Sequence, residues 1–127
     1  VVDYKTGKVL KDDEEIHDGN AEAIAQKIFL PDVKDRPKIA LQFYIYDLLL
    51  KDRPEYKGLD IYNCVYSTAK LFKETPEARL MNQVFFDAVS ENLETMLEEM
   101  YDTEIPFRRT EDTSVCEYCD FKMICGR

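Results

Sequence analysis

Three sets of residues in this 127-residue chain have types and spacings that support chemistry. The first is Asp3-x-Lys5, inside Val1-Val2-Asp3-Tyr4-Lys5-Thr6-Gly7. Two β-branched residues, an aromatic and a turn glycine make this a strand that ends at a turn. Residues two apart on a strand share a face, so the carboxylate and the ammonium stand side by side. Such a pair can help hold a hard divalent cation, which takes oxygen ligands and often needs one or two carboxylates plus substrate phosphate. The plainer alternative is a surface ion pair at a sheet edge, worth about 0–1 kcal/mol. The second set is Gln42 and Tyr46, four apart and therefore on one face of a helix. A buried glutamine without partners costs about 1–3 kcal/mol. Either Gln42 caps loop backbone while Tyr46 reaches the surface, or both reach a polar cleft beside Asp3 and Lys5. The third set is Cys116-x2-Cys119-x5-Cys125, three soft thiolates in one short stretch. Four are what an iron–sulfur cluster or a structural Zn²⁺ usually takes, so the tail is one ligand short. Cys64 or a cysteine upstream of residue 1 would have to complete it. Arg108, Arg109, Lys122 and Arg127 surround the tail as ordinary surface charge or as a phosphate-facing edge.

The elements that must position these residues follow from pattern. A strand occupies 1–10. The acidic run Asp12 to Glu15, near the single histidine His17, reads as a solvated loop, and a lone His without partnering ligands is weak evidence of a metal site. Asp18-Gly19-Asn20 gives a turn and an N-cap for a helix over 21–29. Pro37 suits the first turn of a second helix over 36–51. That helix is apolar around most of its circumference, which predicts deep burial. A β-branched and aromatic run predicts a strand over 59–68, with Cys64 as a small core residue. Thr75-Pro76 reads as the start of a long helix over 76–101 that packs on the sheet. Its stripe of Met81, Val84, Phe85, Ala88, Leu93, Met96, Leu97 and Met100 reads as core, with Glu91, Glu94, Glu98 and Glu99 toward solvent. The cysteine tail covers 106–127.

The totals narrow the function classes. A chain of this length is one domain with room for a real core. Seventeen basic against 26 acidic residues leave a net charge of −9, which excludes a generally basic DNA-binding surface. Any nucleic-acid site must be local, with metal offsetting part of the repulsion. No apolar run is long enough to span a membrane and no signal peptide is visible, so the expectation is a soluble, cytoplasmic protein. Four cysteines with three at one end do not make a secreted disulfide framework. The chain lacks an initiator Met and starts inside a strand of core type, which reads as a fragment.

Together these residues resemble the RecB-type branch of the PD-(D/E)XK nuclease superfamily, and more narrowly the iron–sulfur nuclease domains of AddB-type helicase–nuclease subunits and CRISPR-associated exonucleases. The resemblance is carried by Val1 to Gly7 as the (D/E)-x-K strand, Gln42 with Tyr46 as the Q-x3-Y helix, and Pro106-Phe107 through Cys116, Cys119, Cys125 and Gly126 as the three-cysteine tail. It spans essentially the whole chain in the expected order. It implies an α/β fold: a partial restriction-endonuclease-like core, a mixed sheet flanked by helices, lacking its N-terminal half. It also implies a Mg²⁺- or Mn²⁺-dependent DNA exonuclease of recombination, repair or end processing, with DNA as substrate and a helicase as possible partner. Asp3 and the backbone carbonyl of Tyr4 would hold the metal. Lys5 would activate water and steady the phosphate, and Gln42 and Tyr46 would line the cleft and hold DNA. Cys116, Cys119 and Cys125 would bind a [4Fe–4S] cluster with a fourth, upstream cysteine.

The chain departs from the family pattern in lacking the second metal carboxylate, which the family carries on the strand before D-x-K. With one carboxylate the metal should bind weakly, so the expectation is an isolated fragment without activity. The alternative is a non-catalytic scaffold that keeps the fold and binds DNA or a partner subunit. An exposed edge on the Val1 strand would also invite adventitious dimers.

Overall fold

The computed structural model describes residues 1–7, 9–31, 33, 35–70, 72–73 and 75–126. The described residues form strand β1 (Val2–Lys5), helices α1 (Lys11–Glu14), α2 (Ala21–Phe29) and α3 (Lys38–Lys51), strands β2 (Tyr62–Ser67) and β3 (Arg79–Leu80), and helix α4 (Gln83–Tyr101). The sheet order is β1-β2-β3, with β1 parallel and β3 antiparallel to β2. The α/β class and the mixed sheet are as the sequence leads one to expect. No helix among the described residues is long and apolar enough to cross a membrane.

Register decides which side chains meet. Asp3 pairs with Val65 and Lys5 with Ser67, so these four share one face. Val2, Tyr4, Tyr62, Cys64 and Tyr66 take the other, where the Tyr4 and Tyr66 rings lie 5.4 Å apart. Helix α3 covers the Asp3–Lys5 face and is fixed there by Asn63 Nδ2, which donates to Asp47 Oδ1 at 2.9 Å. Cys64 is buried, as a small core residue should be.

The core lies among the helices. Ala21, Ile24, Ala25 and Ile28 recur at helical spacing along α2 and pack with Ala40 and Tyr44 of α3 and Phe85 and Val89 of α4. The Tyr44 hydroxyl meets Ser90 Oγ at 2.9 Å, so the buried ring keeps a polar partner.

Several expectations need correction. The long helix does not start at Pro76. Residues 79–80 pair with β2, and Asn82 then caps α4 by accepting from the Phe85 N–H at 2.9 Å. Sheet pairing and a true side-chain cap outweigh the Thr-Pro signal. Helix α4 packs mainly on α2 rather than on the sheet. Only Phe85 and Val89 of its stripe region are buried, while Val84, Leu97 and Met100 are exposed. Helix α3 is likewise buried on one side only, with Ile45, Leu48 and Leu49 exposed. The acidic run is not a solvated loop: it forms α1 and places Asp13 in the interior, 8% exposed. Asn20 occupies the N-cap position of α2 without a side-chain cap, its Oδ1 instead accepting from His17 N–H at 2.8 Å. The strand at 1–10 is shorter, ending at Lys5, with Lys8 outside the described residues. The strand at 59–68 is trimmed to Tyr62–Ser67, and the helix at 36–51 begins at Lys38 with Pro37 at its N-cap.

Candidate active site

Strand alternation puts Asp3 and Lys5 on the face under α3, and helical spacing puts Gln42 and Tyr46 on the side of α3 that meets them. The four form an unbroken chain of contacts. Lys5 Nζ stands 2.9 Å from Asp3 Oδ2 and donates to Gln42 Oε1 at 2.8 Å. Gln42 Nε2 donates to the Tyr46 hydroxyl at 2.5 Å. Both ends of the glutamine amide are thus engaged, which fixes its orientation. The Phe43 ring stands edge-on to Tyr46 with centroids 6.4 Å apart and supports it from within the helix. Of the two readings of Gln42 and Tyr46, the polar cluster beside Asp3 and Lys5 is the one the fold adopts.

The cluster is half-enclosed. The Asp3 side chain is 15% exposed and that of Lys5 29%. Although Lys5 pairs with Asp3 Oδ2 by distance, the contact lacks hydrogen-bond geometry, and this buried oxygen has no hydrogen-bond donor. Buried polar atoms are normally satisfied, and Asp3 Oδ2 is compensated by the Lys5 ammonium as an ion pair without a hydrogen-bond donor among the described residues. The carbonyls of Val1 and Lys5 accept from Cys64 and Thr68 N–H, both at 2.9 Å. In a parallel ladder alternate residues point to opposite sides, so the Tyr4 carbonyl faces the open edge of β1. Asp3 Oδ2 and the Tyr4 carbonyl are hard oxygen donors and fit a divalent cation such as Mg²⁺ or Mn²⁺, but Asp3 is the one carboxylate in this chain of contacts.

The family model of the PD-(D/E)XK nuclease superfamily matches residues 1–126. The chain belongs to that superfamily. No curated protein and no solved structure matches it. In this structure the contact chain runs from Asp3 and Lys5 on β1 to Gln42 and Tyr46 on α3.

The cysteine tail behaves differently. Cys116, Cys119 and Cys125 are half-buried, and none of the four cysteines is in a disulfide among the described residues. Among those residues no three or more His, Cys, Asp or Glu side chains gather to hold a metal. The turn from Cys116 to Cys119 and the Arg109 guanidinium on the Cys125 carbonyl, at 2.6 Å, organise the tail through backbone bonds. Three thiols are one short of the four ligands that such a cluster usually takes. Arg108 and Lys122 are exposed, and Arg127 lies outside the described residues.

Two polar features escaped sequence reasoning. Asp47 is 1% exposed and bonded to Asn63, whose own Oδ1 is buried without a partner among the described residues. Burial pushes the Asp47 carboxyl above its ordinary range, against the pull of the Asn63 hydrogen bond and of Lys51. An acid inside the apolar run Tyr46 to Leu50 was the available signal. The other feature is Asp13, hidden because its partners are distant in sequence.

Proposed function

We propose that the chain carries the Asp3–Lys5 half of a metal-dependent DNA exonuclease site, in the RecB-type branch of its superfamily and similar in kind to AddB-like and CRISPR-associated iron–sulfur exonucleases. The single observation that carries the reading is the contact chain from Asp3 through Lys5 and Gln42 to Tyr46. A surface ion pair has no need of a half-buried glutamine oriented at both ends.

Asp3 and the Tyr4 carbonyl would hold the cation, which when bound supplies Lewis-acid polarisation of the phosphate and a more acidic water. The Lys5 ammonium, held by Gln42, faces the same carboxylate and is placed to orient the attacking water and offset charge on the phosphate. Gln42 keeps Lys5 from swinging into solvent, and Tyr46 keeps Gln42 in that rotamer. Tyr46 and Gln42 also line the face where a DNA strand would lie. We assign the protein to the cytoplasm and to recombination, repair or DNA-end processing beside a helicase partner. The three tail cysteines are assigned to a [4Fe–4S] cluster, which needs a fourth ligand.

One carboxylate holds a divalent ion weakly, so the 127-residue chain alone should turn over little or no DNA. The same observation favours a second reading, a non-catalytic scaffold that binds DNA or a subunit. Turnover of linear but not circular DNA with Mg²⁺ or Mn²⁺, measured on the protein joined to its remaining metal carboxylate, separates the two. A loss of about 10²–10³-fold in Lys5→Ala supports the enzyme, and cleavage indifferent to Lys5 overturns it.

A further inference from the structure

Helix α3 has no N-cap of its own. Pro37 stands at that position and has no side-chain oxygen, so the first N–H groups of the helix need partners from elsewhere. Asp13 supplies them. Its Oδ1 accepts from Ile39 N–H at 2.9 Å and from Ala40 N–H at 3.0 Å, while its Oδ2 accepts from Leu10 N–H at 3.3 Å. The carboxylate also sits where the positive end of the helix dipole favours an anion. Its neighbours in α1 reach out to other elements. Asp12 pairs with Lys27 of α2 at 2.6 Å, and Glu14 with Lys70, just beyond β2, at 2.7 Å.

We propose that Asp13 is a positioning residue for the active site: by capping α3 from α1, it fixes the rotation and height of the helix that carries Gln42 and Tyr46 over Asp3 and Lys5. The inference rests on the nuclease reading of those four residues. The geometry behind it is short. Ala40 lies two residues before Gln42, and α1 lies six residues after Lys5, so Asp13 joins the end of the D-x-K strand to the start of the Q-x3-Y helix. The acids of residues 12–15 are then a clamp with three separate anchor points rather than a solvated face. Of these three, the Asp13 anchor is the one made to α3, while Asp12 and Glu14 pair with Lys27 and Lys70.

Side-chain and backbone NMR of the 127-residue chain test this without any activity measurement. In Asp13→Ala, the Ile39 and Ala40 amides should lose about tenfold or more of their hydrogen-exchange protection, and the Gln42 side-chain NH₂ resonances should move toward those of a free amide. Asp13→Asn keeps an acceptor at Oδ1 and should restore both signals while Leu10 alone loses protection. Asp12→Ala, which cuts a different anchor, should leave Gln42 unmoved. A folded Asp13→Ala protein with unshifted Gln42 overturns the proposal. If Asp13→Ala does not fold, Asp13→Asn decides: unprotected Ile39 and Ala40 amides overturn it, and wild-type protection with wild-type Gln42 resonances sustains it. The nuclease reading fails separately, if Lys5→Ala leaves turnover intact.

Discussion

The Lys5 ammonium donates to Gln42 Oε1 across 2.8 Å, and this one bond ties the edge strand to the helix above it. Hydrogen bonds to a charged group contribute about 1.5–3 kcal/mol, so Gln42 does more than fill space. Gln42→Leu removes the acceptor while keeping comparable bulk. It should lower thermal stability by an amount within that range and release Lys5. In the active protein it should lower kcat by about 10-fold or more, because Lys5 loses its placement, and raise KM, because Gln42 also lines the DNA face. Steady-state kinetics beside thermal melts check both parts.

Metal affinity is the second expectation. Asp3 Oδ2 is buried without a donor, and the Asp3 carboxylate has Lys5 as its cationic neighbour. Mn²⁺ should bind the chain at one weak site, with Kd on the order of 10⁻⁴–10⁻³ M, as sites with few carboxylates do. Asp3→Asn should abolish the signal in Mn²⁺ electron paramagnetic resonance, and Lys5→Met should strengthen binding by removing the competing cation. Unchanged binding in Asp3→Asn would place the ion elsewhere.

Much of this was legible in the sequence because it rests on local periodicity. Asp3 with Lys5 and Gln42 with Tyr46 are neighbours by strand and helix geometry alone, and α2 starts where the Asp18-Gly19-Asn20 turn ends. What was hidden depends on distant partners. Asp13 looks like one solvated acid among four until Ile39 and Ala40, 26 and 27 residues on, present bare N–H groups. Thr75-Pro76 carries a local helix signal that loses to the pairing of Asn63 with Arg79 and of Tyr62 with Leu80. The apolar stripe of α4 has the right period from end to end, yet α2 is nine residues long and can cover only part of a nineteen-residue helix.

That partial cover separates core from surface in the third prediction. Phe85 has no exposed surface, whereas Phe107 is almost fully exposed. Phe85→Ala should destabilise by about 3–5 kcal/mol, through lost transfer energy and the cavity left among Ile24, Ala25 and Tyr44. Phe107→Ala should stay within about 0.5 kcal/mol of wild type. Urea denaturation of the two variants side by side is the check. A large loss in Phe107→Ala would mean that the tail packs in solution against something that shields it.

The last prediction concerns pH. Burial raises both Asp13 and Asp47 above the ordinary carboxyl value of 3.8, although hydrogen bonds from Ala40, Leu10 and Ile39 pull Asp13 back and the Asn63 bond pulls Asp47 back. In the window between 3.8 and the raised folded values, the folded chain binds more protons than the unfolded one. Stability from these two groups therefore falls as pH rises through that window, is fully present below it, and is flat above it. Asp47 should show the effect clearly. Once protonated, it can donate to Asn63 Oδ1, which is otherwise buried without a partner among the described residues, and so close a two-bond acid–amide pair. Asp47→Asn, which cannot ionise, should remove the Asp47 share of the pH slope and leave stability at pH 7 equal to or above wild type. Asp47→Ala should cost about 1–3 kcal/mol at pH 7 by stranding the Asn63 amide, and more as pH falls and wild type gains the Asp47 share. Urea midpoints of the three proteins from pH 4 to pH 7 decide the matter. The easing of general repulsion in a chain of net charge −9 acts on all three alike, so only the difference in slope between wild type and Asp47→Asn reports on this pair.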